Sequence, residues 1–370
     1  MTHVTGEISP ASGRRKVTIL VSHLAPAFGM ERVALATANL LDQSYDVEIF
    51  CIGGSQADRR VYPAAQLLGS PLRGWRRTLS IWRLWRLART LQTDTVVLAG
   101  VWVALPWLVL SNTRKFKSVV WEHSLLNRRA SSSIQMKILA AGARILYRRS
   151  TTIVAVSAPL KRDIAKLTGV NVAVIPNPVD TPADNELIRS MPDDDGTLIR
   201  LVTVGSLTPV KSQETLIRAL KLLDDRFVLT IAGTGPLEAM LRNLARDLGL
   251  EERVVFAGFL EEPRLREVLR SAHLLVHCSH VETFGLVYAE AANAGLPVVS
   301  TESDVAHEMI PYFVPGWVCN SDPSSLAEEI SKRANEPPST DELLEAAGRR
   351  RAAFASESVR KKWQQTIESL

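Results

Sequence analysis

The chain has 370 residues, 46% of them hydrophobic and 22% charged, with a formal net charge of +5. That length exceeds one ordinary core, and the composition excludes an intrinsically disordered or fibrous chain. Three scattered cysteines, Cys51, Cys278 and Cys319, lack metal-ligand spacing, and their odd number points to a reducing compartment.

Residues 1–15 are polar and lack the apolar centre of a secretory signal, so they read as a flexible leader. Lys16 to Val21 is a predicted strand, followed by a loop carrying Gly29 and a helix from about Glu31 to Leu41. Further strands are expected over Val47 to Cys51, Val96 to Ala99, Val119 to Trp121, Thr152 to Val156 and Val172 to Ile175. The longest charge-free apolar run, Val96 to Leu110, is too short to cross a membrane and contains Pro106. Around residues 176–197 the alternation breaks at Pro176, Pro178, Pro182 and Pro192 and at Asp193-Asp194-Asp195-Gly196, which reads as a solvated linker rather than a metal site.

Alternation then restarts. Strand Leu201 to Val204 leads to a helix near Gln213 to Leu222, and strand Phe227 to Ile231 to a helix from about Pro236 to Leu248. Strand Val254 to Phe256 leads to a helix near Pro263 to Arg270. Leu274 to Val276 leads to a helix starting near Phe284, Val298-Val299 is the next strand, and the tail after about Ser324 is mostly helical. Strands alternating with helices imply parallel sheets covered on both faces. The expected fold class is α/β, with two doubly wound Rossmann-like domains facing a cleft. Residues 16–180 form the N-terminal domain, 181–197 the linker and 198–350 the C-terminal domain. Residues 351–370 form a helix that crosses back to the first domain. Ligands of such sheets bind beyond the carboxyl ends of the strands.

The richest stretch is Glu282-Thr-Phe-Gly-Leu-Val-Tyr-Ala-Glu290. Glu282 falls just before a helix whose first amides, near Phe284, Gly285, Leu286 and Val287, would suit a phosphate. Glu290, about two turns in, would accept hydrogen bonds from a ribose. Gly205 follows a strand, and Lys211 comes six positions later as a mobile point charge. Ala232-Gly233-Thr234-Gly235-Pro236 resembles half of a dinucleotide fingerprint. Gly258-Phe259 could let a nucleobase approach the backbone and stack on the ring. In the first half, Trp121-Glu122-His123 ends a strand, where a histidine could polarise or bond a sugar.

In order and spacing these pieces, with Val156-Ser157 and Ile175-Pro176-Asn177-Pro178-Val179-Asp180, resemble the family 4 glycosyltransferases of GT-B type from about Lys16 onward. The resemblance implies that Glu290 binds the ribose, that Lys211 and the amides of Phe284 to Val287 hold the diphosphate, and that Glu282 and His123 lie beside the transferred sugar. It also implies that Gly29 closes on the phosphate, and that configuration is retained without metal or other cofactor. The donor would be a nucleoside-diphosphate sugar, UDP-linked rather than GDP-linked, and the acceptor a cell-surface glycan or a lipid-linked glycan. Two departures stand out. Ser206 occupies a position where the family commonly has Arg, and Ser212 one where Gly is common, so a catalytically weak binding module is an alternative. A sugar-nucleotide epimerase on the same fold is another.

Up to residue 185 there are 24 Lys+Arg against 11 Asp+Glu, or +13; the remainder has 20 against 28, or −8. No nucleic-acid-binding module accompanies the excess. Three tryptophans, Trp75, Trp82 and Trp85, and six arginines, among them Arg76, Arg83 and Arg86, fall between Arg73 and Arg89. That composition suits an interfacial helix on an anionic membrane, so a peripheral position on the inner, cytoplasmic face is expected.

Overall fold

The computed structural model describes residues 14–22, 29–53, 66–67, 76–111, 115–126, 134–187, 198–334, 336 and 338–370; the side chains of 76–81 are outside that description. Trp75, residues 1–13 of the 1–15 leader and the Asp193 to Asp195 run lie outside the described residues.

The chain divides into two units. One comprises 1–154, 164–173 and 360–370, the other 155–163 and 174–359. In the first unit's sheet the strands are β1 (Lys16–Val21), β2 (Asp46–Cys51), β3 (Gln66–Leu67), β4 (Thr95–Ala99), β5 (Lys117–Glu122), β6 (Thr152–Ala155) and β7 (Val172–Val174). Their order is β3-β2-β1-β4-β5-β6-β7, and β1 pairs in parallel with both β2 and β4. Every residue of β4 is buried, as is every residue of β1 after Lys16. The branched runs Val-Thr-Ile-Leu-Val and Thr-Val-Val-Leu-Ala therefore meet helices on both faces. Helices α1 (Gly29–Asp42) and α3 (Val101–Leu110) pack on this sheet, and α2 (Arg76–Thr90) and α4 (Ile134–Leu146) pack on α3. Further along the chain come α5 (Ala158–Thr168), which passes between the two units in sequence, and the short α6 (Asp184–Leu187), which belongs to the second unit.

The second sheet contains β8 (Ile199–Val204), β9 (Phe227–Ala232), β10 (Val254–Gly258), β11 (Leu274–His277), β12 (Val298–Thr301) and β13 (Gly316–Cys319), in the order β10-β9-β8-β11-β12-β13. All five strand pairs are parallel. β13 went unread in the sequence because Gly316-Trp-Val-Cys319 is short, half-buried and lacks alternation. Its helices are α7 (Gln213–Leu222), α8 (Glu238–Asp247), α9 (Glu262–Ser271), α10 (Leu286–Asn293), α11 (Asp304–Met309), α12 (Pro323–Ala334) and α13 (Thr340–Phe354). One core runs from Leu201, Leu229 and Leu274 on the strands to Leu216, Leu220, Leu241 and Leu326 on α7, α8 and α12. β8 has β9 on one side and β11 on the other, so the chain changes direction between β8 and β11. A crevice opens beyond the carboxyl ends of such a pair.

Local signals set several boundaries. A full capping box between Ser339 and Glu342 starts α13. Buried Arg350 on α13 donates to Phe313 O at 2.7 Å and to Ala292 O at 3.3 Å, the latter in the last turn of α10. Burial lowers its guanidinium to about 10, still charged at neutral pH, which suits the negative end of a helix. The last helix, α14 (Ser356–Glu368), brings Trp363 edge-on to Trp121 at 5.2 Å and Gln364 to Ser44 at 2.7 Å, both within the first unit.

Candidate functional site

Gly205 and Gly233 stand just beyond the ends of β8 and β9, and Gly258 closes β10. Gly205 N donates to Ala232 O at 2.9 Å, and Gly233 N to Gly258 O at 2.7 Å, so the three form one ledge across neighbouring strands. Gly233 has φ +140°, and a Cβ there would lie 2.0 Å from Gly205 O. Only glycine allows this approach. Leu207 N to Thr234 O and Leu237 N to Leu207 O lace the two loops together further on.

The aliphatic stem of Lys211 lies over Gly205, about where that residue's Cβ would begin to touch it. Lys211 closes a short 3-10 turn, Pro209–Lys211. Its Nζ meets Glu282 Oε2 at 2.7 Å, and His277 Nε2 meets the same oxygen at 3.3 Å. The two loops that carry these groups are tied: His280 N donates to Val210 O at 3.0 Å, and Ser279 Oγ to the same carbonyl at 3.4 Å. Ser157 Oγ donates to Thr283 O at 2.6 Å and steadies the residue after Glu282.

Burial opposes charge on Glu282, but the His277 hydrogen bond and the Lys211 charge outweigh it and hold the carboxyl down at about 2. Burial also lowers His277, so the imidazole is neutral at pH 7. An ionised carboxylate only accepts; neutral His277 therefore donates from Nε2. The ring is fixed from its other side by Tyr288, edge-on at 5.1 Å, whose hydroxyl pairs with Ser300 Oγ at 2.9 Å.

Helix α10 begins at Leu286, two residues later than the sequence suggested, because Gly285 turns left-handed (φ +78°). A Cβ on Gly285 would lie 2.4 Å from the Tyr288 ring. No side chain caps the first turn, which leaves the amides around Leu286 and Val287 facing outward from the helix end. Phe284 packs inward, edge-on to Phe354 at 5.4 Å, so only its backbone is at hand for a ligand. Glu290 stands half-buried in the second turn of α10. Phe259, beside Gly258, is 55% exposed.

Sequence reasoning missed His277. Its only signal was a polar residue closing the apolar run Leu274-Leu275-Val276, five positions before a glutamate. Among the described residues, no cluster of His, Cys, Asp or Glu could hold a metal ion.

In the first unit Gly29 is the exposed first residue of α1. His123 follows β5 on a turn organised by Glu122, which sequence reasoning also passed over. Buried Glu122 accepts His123 N at 3.0 Å and Ser124 N at 2.9 Å on one oxygen, and Tyr147 OH at 2.5 Å on the other. Trp121 meets the His123 ring at 4.5 Å. Burial lowers His123 to about 3. An unfolded histidine titrates near 6.5, so the unfolded chain binds the extra proton as pH falls below that value. His123 therefore costs stability progressively from pH 6.5 down towards 3, about 2–3 kcal/mol by pH 4.5. His123→Asn is expected to flatten the decline in urea midpoint between pH 7 and pH 4.5; an unaltered decline would place the acid sensitivity elsewhere.

With this geometry in view, two family models match consecutive parts of the chain. Glycosyltransferase Family 4 matches residues 28–182, and Glycosyl transferases group 1 matches residues 184–351. The chain belongs to the glycosyltransferases of this family 4, group 1 type. An uncharacterized glycosyltransferase of Methanocaldococcus jannaschii is 37% identical over 135 residues, 36% of this chain and 35% of that protein, so the match spans about a third of the relative's length. A D-inositol 3-phosphate glycosyltransferase of Mycolicibacterium vanbaalenii is 25% identical over 412 residues, 96% of this chain and 88% of the relative. Anabaena HepE, solved in complex with UDP and glucose, superposes with a TM-score of 0.80 at 20% identity, covering 96% of this chain and all of that one. The fold is thus the GT-B arrangement of two Rossmann-like sheets.

Against that family, the two departures acquire a structural setting. Ser206 is exposed, and its carbonyl accepts Gln213 Nε2 at 3.1 Å. Ser212 is the only non-glycine residue with positive φ (+47°) among the described residues, a conformation that glycine adopts without strain.

On α2, which carries the proposed membrane patch, exposure is mixed. Leu84 and Ala88 are buried, and Trp85 is half-buried with the Arg89 guanidinium 3.9 Å from its ring centroid. Trp82 is 52% exposed, with Arg86 beside it at 5.8 Å. Leu84, Trp82 and Trp85 therefore do not share one outward face, because Leu84 and Ala88 are buried in a helix that packs against α3. Arg83 and Arg86 are exposed, while Arg76 lies in α2 with its side chain outside the described residues. No helix among the described residues is long and apolar enough to cross a membrane.

Proposed function

We propose that this glycosyltransferase moves a sugar from a UDP-sugar to a glycan or lipid-linked acceptor, with retention, in cell-surface polysaccharide or glycolipid synthesis. The observation that carries the reading is the Lys211–Glu282–His277 chain beside the glycine ledge and the uncapped start of α10. Lys211 exchanges Glu282 for the diphosphate, whose negative charge grows as the sugar–oxygen bond breaks. A preplaced cation and helix amides favour that charge over the ground state. His277 keeps its bond to Glu282 during the exchange, so the carboxylate is not left alone and stays beside the sugar hydroxyls. Glu290 accepts from the ribose, and exposed Phe259 stacks on the base. Gly29 and His123 serve the donor as the family resemblance implies. The diphosphate takes the acceptor proton in an internal-return step that uses no metal. UDP in the HepE complex supports the choice of nucleotide. The basic first half supports peripheral association with the inner face of an anionic membrane.

Ser206 supports a second reading, a catalytically weak binder, since a bidentate cation is missing from the diphosphate site. UDP release from UDP-glucose, UDP-galactose and UDP-N-acetylglucosamine, with and without membrane extract, separates the readings. Extract-dependent release is expected. UDP binding without release would favour the weak module, and epimer formation without acceptor would favour an epimerase. Absence of UDP binding would remove the donor assignment.

A further inference from the structure

The sequence placed membrane contact on α2, but the most exposed large apolar residues among those described lie on another helix. On α4, Ile134, Ile138 and Ile145 are 78%, 65% and 68% exposed. With exposed Ala141 they fall at spacings of four, three and four, which is one helical face about 16 Å long. The opposite face, Ala140 and Ala143, is buried. Helix α4 thus turns small residues to the protein and its isoleucines to solvent, the reverse of an ordinary surface helix.

Gly142 allows this packing: a Cβ there would lie 2.9 Å from Leu105 on α3. A groove of about 370 Å³ lies along this contact, lined by Trp102, Leu105, Pro106 and Val109 of α3 and by Leu139 of α4. Trp102 and Val109 are themselves exposed and add apolar surface on α3, the helix against which α4 packs. Exposed apolar side chains gathered on two helices packed together mark an interaction surface.

Charge identifies the partner. Helices α2, α3 and α4 contain no Asp or Glu. Exposed Lys137, Arg144, Arg148 and Arg149 border the stripe, and Arg83, Arg86 and Arg89 are exposed on α2. A second copy of the chain would bring these cations against each other. An anionic lipid surface satisfies both features at once, with isoleucine and tryptophan among the acyl chains and Lys and Arg at the phosphates.

We infer that the Ile134–Ile138–Ile145 stripe, with Trp102 and Val109, is the face by which this protein enters an anionic membrane, and that α2 is peripheral to it. The inference rests on the membrane-association reading above and is independent of the donor site.

The test is co-sedimentation with vesicles of phosphatidylcholine and phosphatidylglycerol (3:1), and of phosphatidylcholine alone, at low and high salt. Thermal shift with UDP serves as a parallel readout of folding and donor binding. The triple variant I134S/I138S/I145S is expected to lose at least ~10-fold in partitioning to anionic vesicles, because three exposed apolar side chains leave the lipid. Its UDP shift should be unchanged. K137E/R144E should weaken binding to anionic vesicles, and its remaining binding should depend less on salt. W82A should change partitioning by less than about 3-fold if Trp82 stays at the edge of the contact. Equal partitioning of the triple variant and wild type would overturn the assignment, as would loss confined to W82A. No vesicle binding by wild type would instead remove the membrane reading. A wild-type dimer broken by the triple variant would make the stripe an interface between copies.

Discussion

Lys211→Ala is expected to lower kcat/KM for UDP-sugar consumption by about 100- to 1000-fold, the range for removing a preplaced charge partner of a leaving group. UDP affinity, measured by calorimetry, should fall with it. Two effects add. The diphosphate loses its cation, and Glu282, now paired only with His277, presents an uncompensated carboxylate near the anion. A pH signature accompanies the change. In the wild type, Glu282 is held at about 2 against an ordinary value near 4.5, a stabilisation of roughly 3 kcal/mol. A depressed carboxylate contributes above the unfolded value, and the contribution disappears as pH falls through the folded one. Removing Lys211 moves the Glu282 pKa back up. The stability difference between wild type and variant should therefore be largest near pH 7 and shrink from about pH 4.5 downward. Unchanged UDP affinity in a folded Lys211→Ala protein would sink the assignment of Lys211 to the diphosphate.

Gly233→Ala is expected to destabilise the second unit by about 3–5 kcal/mol, at the upper end for a single methyl group. The added Cβ would sit 2.0 Å from Gly205 O and 2.8 Å from Gly205 C, both backbone atoms that cannot rotate away. The strand ends must separate, and with them go the Gly233 N to Gly258 O and Leu207 N to Thr234 O bonds. Gly258→Ala serves as the control. It also has positive φ (+67°), but its Cβ would meet nothing within 4 Å, so only the left-handed penalty of about 1–2 kcal/mol applies. Urea midpoints of the two variants distinguish crowding from conformational strain. Equal losses would mean that the ledge tolerates separation of its strands.

Much of the second unit was legible because strands there are short branched runs and helices begin at caps, prolines or glycines. α7 falls over Gln213–Leu222, as read. α8 and α9 shift by no more than two residues at either end. The 3.6-residue period and buried strand composition are local properties, which a chain displays before it folds. The GT-B fold and the family follow from that alternation together with the order of its motifs. α3 was obscure because Val101–Leu110 is apolar all round and carries Pro106, so no period shows.

Contacts across long sequence separations could not be seen this way. His277 and Glu282 are five residues apart, but Lys211 reaches Glu282 across 71 positions, and the direction of each side chain depends on β8 and β11 being neighbours. Tyr147 meets Glu122 over 25 residues because α4 and the turn after it return to the end of β5. The membrane question shows the same limit. Tryptophan and arginine content singled out α2, but whether Trp85 or Ile138 faces water depends on which side of each helix packs against α3. Side-chain chemistry and periodicity are written along the chain, and they determined the class of fold and singled out the candidate residues proposed for a sugar nucleotide. Which of those residues share one oxygen atom, and which apolar face is left uncovered, is decided only when distant segments pack, because burial and approach depend on neighbours rather than on local sequence.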